Sequence, residues 1–318
     1  MLAHVLIPLD GSSLAECVLP HGLSVAKAFG ARVTLMQVVE QAETGGRSPT
    51  IDPLEWHYSQ AAGVTYLEQV AERLRLAGLP TEQILLEGDP AMRVIDHAQA
   101  KQADLILLSS HGRSGLSGWN VSSVVQKILA RAHLSILLIP AYQPAADELS
   151  GLRYRRILVP LDGSQRAECV IPLVTALGSG HGSQLLLAHV VRKPELPRRA
   201  PPSKEDQALA DAITERNRVE ASRYLEELRS RLSLPAETRL LVSDHVAATI
   251  QQLALQESVD LVVLSAHGYS GGTQWPYGSL TTSFITYGNK PLLIVQDLPR
   301  QEIEPTAAEL AVKEHGRH

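Results

Sequence analysis

LIPLDGSSLAECVLP, residues 6–20, returns as LVPLDGSQRAECVIP at residues 158–172, identical at 11 of 15 positions. Asp10 pairs with Asp162, Cys17 with Cys169 and Pro20 with Pro172, each 152 residues apart. A later segment repeats as well: DLILLSSHG at 104–112 returns as DLVVLSAHG at 260–268, now 156 apart, so the second copy carries four extra residues between its anchors. A period near 150 residues is too long for a solenoid repeat and suits two complete domains related by duplication.

Composition agrees with that division. A chain of 318 residues is long enough for two domains that each bury a core. Its 44% hydrophobic and 20% charged content is that of an ordinary globular protein, and a net charge of −5 offers no footprint for nucleic acid or an anionic membrane. No apolar run approaches the length that spans a bilayer. The opening MLAHVLIPLD lacks a basic region and runs straight into an acidic residue, so it reads as a strand and not a signal peptide, and a cytoplasmic protein is expected. Cys17 and Cys169 fall inside apolar helical patterns and read as small buried hydrophobes.

Within each copy, short runs rich in Val, Ile and Leu alternate with longer helical patterns, which implies a parallel sheet covered on both faces. In the first copy the runs are HVLIPL, RVTLMQVV, EQILLE, DLILLSS and LSILLIP; in the second, RILVPL, LLLAHVV, TRLLV, DLVVLSA and PLLIV. The segment from Ser12 to Phe29 reads as one helix closed by Gly30, with Ser13 and Glu16 at capping-box spacing. Residues 40–56 and 192–203 read as irregular excursions, and 204–230 as a charged helix with an apolar stripe of Leu225, Leu228 and Leu232. Five strands and four helices per copy, joined by right-handed crossovers, give an α/β protein of two tandem doubly wound domains, each a five-stranded parallel sheet flanked by helices. The boundaries expected are 1–140 and 155–297, with a linker at 141–154 and a polar tail at 298–318.

Ligands of such sheets bind beyond the carboxyl ends of the strands, where the winding reverses. Both strong repeats lie there. Strand one ends in Asp10-Gly11-Ser12 or Asp162-Gly163-Ser164, and strand four in Ser109-Ser110-His111-Gly112 or Ser265-Ala266-His267-Gly268. Ten residues past each last glycine a helix opens, with Ser122-Ser123 in one copy and Gly278-Ser279 in the other. A glycine turn followed by a helix N-terminus bearing hydroxyls makes a site for phosphate, and the Asp across the crevice is placed to accept hydrogen bonds from a ribose or a base. Read singly, each feature has a plainer use: the Asp as a helix cap, Gly278-Ser279 as a helix start, His111 and His267 as turn residues, Arg113 (Tyr269 in the second copy) as a solvated side chain. No Ser-His-Asp spacing suggests a triad, and no His, Cys or carboxylate cluster has metal-ligand spacing.

On these residues the chain resembles the universal stress protein family, over 3–140 and 155–296, with its nucleotide-binding α-hydrolase-like fold. Nucleotide-binding members of that family carry Gly, two residues, Gly, nine residues, Gly, then Ser or Thr. The second copy departs only at Ser265, keeping Gly268, Gly278 and Ser279; the first reads Ser109, Gly112, Ser122 and Ser123, departing twice. A side chain at residue 122 is expected to crowd the phosphate or to forbid a backbone conformation it needs, so the second site should bind more tightly. The resemblance also implies adenosine contacts from Pro8, Asp10 and Val38, and from Pro160, Asp162 and Val190. It implies ATP, ADP or AMP with Mg2+ or a similar divalent ion as ligand, a role in stress adaptation, and an unidentified protein partner. No enzyme activity beyond slow ATP hydrolysis is expected, since no general base is evident. A nucleotide-free interaction module is the rival. The oxidoreductase fingerprint G-x-G-x-x-G and the phosphate loop G-x-x-x-x-G-K-[ST] are both absent from the relevant turns. Finally, LSILLIP and PLLIVQ read as apolar edge strands. The resemblance implies an intramolecular pseudo-dimer in which they pair, with the crevices related by an approximate two-fold axis.

Overall fold

Pro8 and Pro160 sit near the ends of strands whose other residues are almost all apolar and inaccessible, and these two strands organise the chain. In the computed structural model, residues 2–40, 53–113, 115, 121–141, 149, 151–196, 203–269 and 276–298 are described. Much of the expected excursions and linker, and the polar tail beyond residue 298, lie outside them. The chain divides into two compact units. The main body of the first is Met1–Arg153; the second comprises Tyr154–Gly272 and Tyr277–Asp297.

The first unit contains β1 (His4–Leu9), α1 (Ser13–Glu16), α2 (Leu19–Phe29), β2 (Arg32–Val39), α3 (Pro53–Leu76), β3 (Thr81–Glu87), α4 (Pro90–Ala100), β4 (Leu105–Ser109), α5 (Ser123–Arg131) and β5 (Ser135–Ile139). Its strands pair in the order β3-β2-β1-β4-β5, all parallel. The second unit contains β6 (Arg156–Pro160), α6 (Gln165–Glu168), α7 (Ile171–His181), β7 (Gln184–Val191), α8 (Lys204–Arg231), β8 (Ala236–Val242), α9 (Val246–Gln256), β9 (Leu261–Ser265), α10 (Ser279–Tyr287) and β10 (Leu292–Val295). Its order, β8-β7-β6-β9-β10, is again parallel. In each unit the winding reverses between the first and fourth strands, and this is the doubly wound arrangement read from the alternation of segments. Val5, Leu6 and Ile7, like Ile157, Leu158 and Val159, are fully buried because helices cover both faces.

Two local readings change. The Ser12–Phe29 helix is two pieces, α1 and α2, since Pro20 lacks an N–H and is accommodated only in the first turn of a new helix. The cap is Ser12 rather than Ser13: its hydroxyl accepts from the Ala15 N–H at 3.2 Å, and Glu16 turns instead to Arg73. Each unit therefore has five helices among its described residues. In α8, Leu225 and Leu228 are buried, but the helix stops before Leu232, which caps its end half-exposed. The excursion at 40–56 gives way at Pro53 to α3; the other ends at Ser203, which closes a capping box with Asp206. Cys17 is buried as expected, whereas Cys169 is only half-buried. Cys17 donates to the Ser109 hydroxyl at 3.4 Å, and burial, reinforced by the Asp297 charge, pushes the Cys169 thiol up to about 12.

Candidate functional site

Gly11 and Gly163 both take φ of +83°, the left-handed region, which lets the chain turn sharply off β1 and β6 and aim the preceding carboxylate back across the sheet edge. The two carboxylates are held alike. Asp10 Oδ1 accepts from the Ser12 N–H at 2.9 Å and its hydroxyl at 2.6 Å, while Oδ2 accepts from the Arg113 N–H. Asp162 Oδ1 accepts from the Ser164 N–H at 3.0 Å and its hydroxyl at 2.6 Å, while Oδ2 accepts from the Tyr269 N–H at 2.6 Å. These bonds tie the end of the first strand to the end of the fourth. They also require the glycine before each N–H donor: a Cβ on Gly112 or Gly268 would overlap the neighbouring carboxylate.

A crevice opens at this edge in each unit, of about 710 Å³ in the first and 730 Å³ in the second. Pro8, Asp10, Val38, Ser109, Gly112, Ser122 and Ser123 line the first; Pro160, Asp162, Val190, Ser265, Gly268, Gly278 and Ser279 line the second. In both units the serine hydroxyl at the end of the fourth strand donates to a histidine carbonyl two residues on, Ser109 to His111 at 2.7 Å and Ser265 to His267 at 2.5 Å. The serine therefore shapes the turn.

The crevices differ at their helix ends. Gly278 precedes α10 with φ −68° and ψ 166°, and Ser122 precedes α5 with φ −69° and ψ 162°. The expectation that a side chain at 122 forbids a needed backbone conformation is thus corrected: both residues have the same extended geometry, open to any amino acid. A Cβ on Gly278 would meet nothing nearer than the Ala266 carbonyl oxygen at 3.5 Å. What differs is a hydrogen bond. The Ser122 hydroxyl accepts from the Val125 N–H at 3.3 Å, whereas Gly278 has no side chain to do so. The neighbouring helices repeat the contrast. Asp89 caps α4, accepting from the Met92 N–H at 2.8 Å, while α9 begins after His245 without a side-chain cap. Two helix N-termini with their first N–H groups open to a ligand therefore face the second crevice, and two self-capped ones face the first. Arg192 lines the second crevice where Glu40 lines the first.

Several residues here went unread in the sequence. Tyr66 and Tyr224 stand beside Glu16 and Glu168, and burial raises both phenols. Behind them Arg73 pairs with Glu16 at 2.6 Å and Arg231 with Glu168 at 3.8 Å. The signal was present as a third repeat, Tyr-Leu-Glu, four intervening residues, then Arg-Leu, at 66–74 and 224–232. His267 Nδ1 lies 2.9 Å from Asp297 Oδ1, a carboxylate with no exposed side-chain surface. In the first unit Ser110 takes that place, 3.1 Å from His111 Nδ1. Arg113, read as solvated, is exposed yet donates through Nη2 to the Asp10 carbonyl at 2.6 Å. Among the described residues no group of His, Cys, Asp and Glu side chains could hold a metal, and no helix is long and apolar enough to cross a membrane.

The chain matches the universal stress protein family over residues 1–140 and 153–296. It is 23% identical over 306 residues to a universal stress protein of Mycobacterium bovis, covering 92% of this chain and 96% of that one. It is 28% identical over 141 residues to one of Methanocaldococcus jannaschii, covering 42% of this chain and 80% of that protein. The solved structure of a universal stress protein from Archaeoglobus fulgidus superposes with a TM-score of 0.62 at 18% identity, covering 93% of this chain and 98% of that one, and shares the fold. Matched twice along its length, the chain belongs to the universal stress protein family as a tandem member.

Proposed function

We propose that the second crevice binds an adenine nucleotide, ATP in the first instance, and that the protein is a cytoplasmic, nucleotide-sensitive regulator in stress adaptation. The observation that carries this is the pair of uncapped helix N-termini, α9 and α10, on one crevice wall with Arg192: N–H groups left without side-chain acceptors, beside a cation, suit the oxygens of a phosphate chain. Adenine is assigned from the family resemblance of Pro160, Asp162 and Val190, which share that crevice. A divalent ion would arrive on the triphosphate, held by its oxygens and water. Binding rather than catalysis is proposed, because the Ser265 hydroxyl is engaged by a carbonyl and the His267 ring by Asp297.

Gly278→Ser tests this reading. The new hydroxyl should cap α10, leaving thermal stability unchanged or raised by a few tenths of a kcal/mol, while competing with the phosphates for the same N–H groups. ATP affinity should fall about tenfold, or about 1.4 kcal/mol. Unchanged affinity in a folded variant would contradict it.

We also propose, on the sequence alone, that LSILLIP and PLLIVQ pair with each other, since an open apolar edge invites pairing. Ile136→Pro should then lower the melting temperature of both units. A second unit indifferent to that change would refute the pairing.

A further inference from the structure

The amino ends of the strands, away from the crevices, are built differently in the two units. In the second, Arg156 opens β6 as a permanent cation: its Nη1 donates to Gln184 Oε1 at 2.7 Å, and its Nη2 to Glu237 at 3.1 Å and Glu257 at 2.5 Å. In the first unit His4 takes the place of Arg156, Arg32 that of Gln184, Glu82 that of Glu237, and Lys101, the residue that closes α4, that of Glu257, which closes α9. An imidazole that can be neutral or charged thus replaces a fixed cation, and a guanidinium stands beside it.

His4 is buried, and both ring nitrogens have partners. Nε2 lies 2.9 Å from Thr34 Oγ1, which in turn donates to Glu82 Oε2 at 3.5 Å. Nδ1 lies 3.3 Å from Arg32 Nη2 and 3.3 Å from the Lys101 carbonyl oxygen, and these two neighbours make opposite demands. A guanidinium only donates, so it requires a bare Nδ1; a carbonyl only accepts, so it requires Nδ1–H. Arg32 Nη2 is also 3.5 Å from the Lys101 oxygen, so its two protons can serve both acceptors while the ring is neutral. Protonation of Nδ1 removes one acceptor, hands the other to the imidazolium and sets a like charge beside the guanidinium. Arg32 is exposed, so its way to water is open. Burial is the main force holding His4 below its ordinary 6.5, with the Arg32 charge adding to it, while the Lys101 carbonyl, Glu82 and Asp104 pull the other way. His97 on α4 feels the His4 and Lys101 charges and opposes a second cation there in its turn.

We propose that His4, Arg32 and the Lys101 carbonyl form a proton-operated switch at the amino edge of the first unit's sheet. With the ring neutral, Arg32 bridges Nδ1 and the carbonyl; with the ring charged, Nδ1–H takes the carbonyl and Arg32 turns out to solvent. Nε2 keeps its proton and its Thr34 partner in both states. The second unit has no counterpart, because Arg156 does not titrate. Acid then changes the charge and the exposed side chains at this edge of the first unit and leaves the equivalent edge of the second as it was.

Nitrogen-15 NMR of the 318-residue chain, read at the His4 ring and the Arg32 guanidinium, tests this. At pH 7 the ring should be the Nε2–H tautomer. It should take up one proton below pH 6.5, and at the same midpoint the Arg32 Nη protons should begin to exchange with water at least tenfold faster, having lost both acceptors. Arg32→Gln, which gives this exposed position the residue of the second unit, should raise the His4 midpoint by about one pH unit, a tenfold gain in proton affinity. A ring protonated on Nδ1 at pH 7, Arg32 protons indifferent to the His4 step, or an unmoved midpoint in Arg32→Gln would overturn the proposal. So would a His4 ring still neutral when the first unit unfolds in acid, an outcome read on the unsubstituted chain alone.

Discussion

Gly268→Val should abolish ATP binding by the second unit, lowering affinity at least a hundredfold, about 2.7 kcal/mol or more. The substituted Cβ would enter the space of the Asp162 carboxylate, which accepts three hydrogen bonds, from Ser164 twice and from Tyr269. Asp162 would have to leave those partners, and the turns it ties together would part at the mouth of the crevice. A branched side chain adds bulk where the ligand enters. Gly112→Val, at the matching position of the first unit, should leave ATP affinity at the second crevice within twofold. Equilibrium dialysis against ATP, with circular dichroism to verify folding, separates the outcomes. Wild-type affinity in a folded Gly268→Val protein would show that the crevice is not where ATP binds.

Acid should destabilise the first unit through His21. This side chain lies in α2, 9% exposed, and burial pulls its pKa down from 6.5 to about 4. The folded protein therefore keeps it neutral while the unfolded chain, with an ordinary imidazole, takes up a proton as pH falls below 6.5. Stability is consequently lost between pH 6.5 and 4 and levels off below that, where both states are protonated. At 1.36 kcal/mol per unit the loss reaches about 3 kcal/mol. Burial lowers His4 and His189 in the same direction, so the whole chain should be less stable at pH 4.5 than at pH 7. Urea titrations across this range measure it. His21→Leu should flatten the slope for the first unit; an unaltered slope would show that the imidazole is not neutral in the fold.

The duplication, the parallel alternation and the position of the crevice were legible because each rests on a short-range pattern: a repeated string, runs of Val and Leu, an Asp-Gly-Ser at a strand end. The break between α1 and α2 was also written, in Pro20, but helical periodicity outweighed it. What could not be read was which donor a cap satisfies. Ser122 and Gly278 differ by one hydroxyl and share a backbone conformation, and only the distance from that hydroxyl to the Val125 N–H shows that one helix end is closed and the other open. The pairing of His267 with Asp297 spans 30 residues and carries no local signature. Tyr66 and Tyr224 had one, since their surrounding segment repeats, but a tyrosine on a long charged helix reads as ordinary amphipathic surface until the fold turns it toward Glu16 or Glu168.

The two crevices are proposed to differ, one taking a nucleotide's phosphates and the other not. Equilibrium dialysis of the unsubstituted 318-residue chain against labelled ATP with Mg2+ tests this most directly. Saturation at one nucleotide per chain, abolished by Gly268→Val and unaffected by Gly112→Val, is expected. Two equivalents bound with equal affinity, or none up to millimolar ATP, would contradict it.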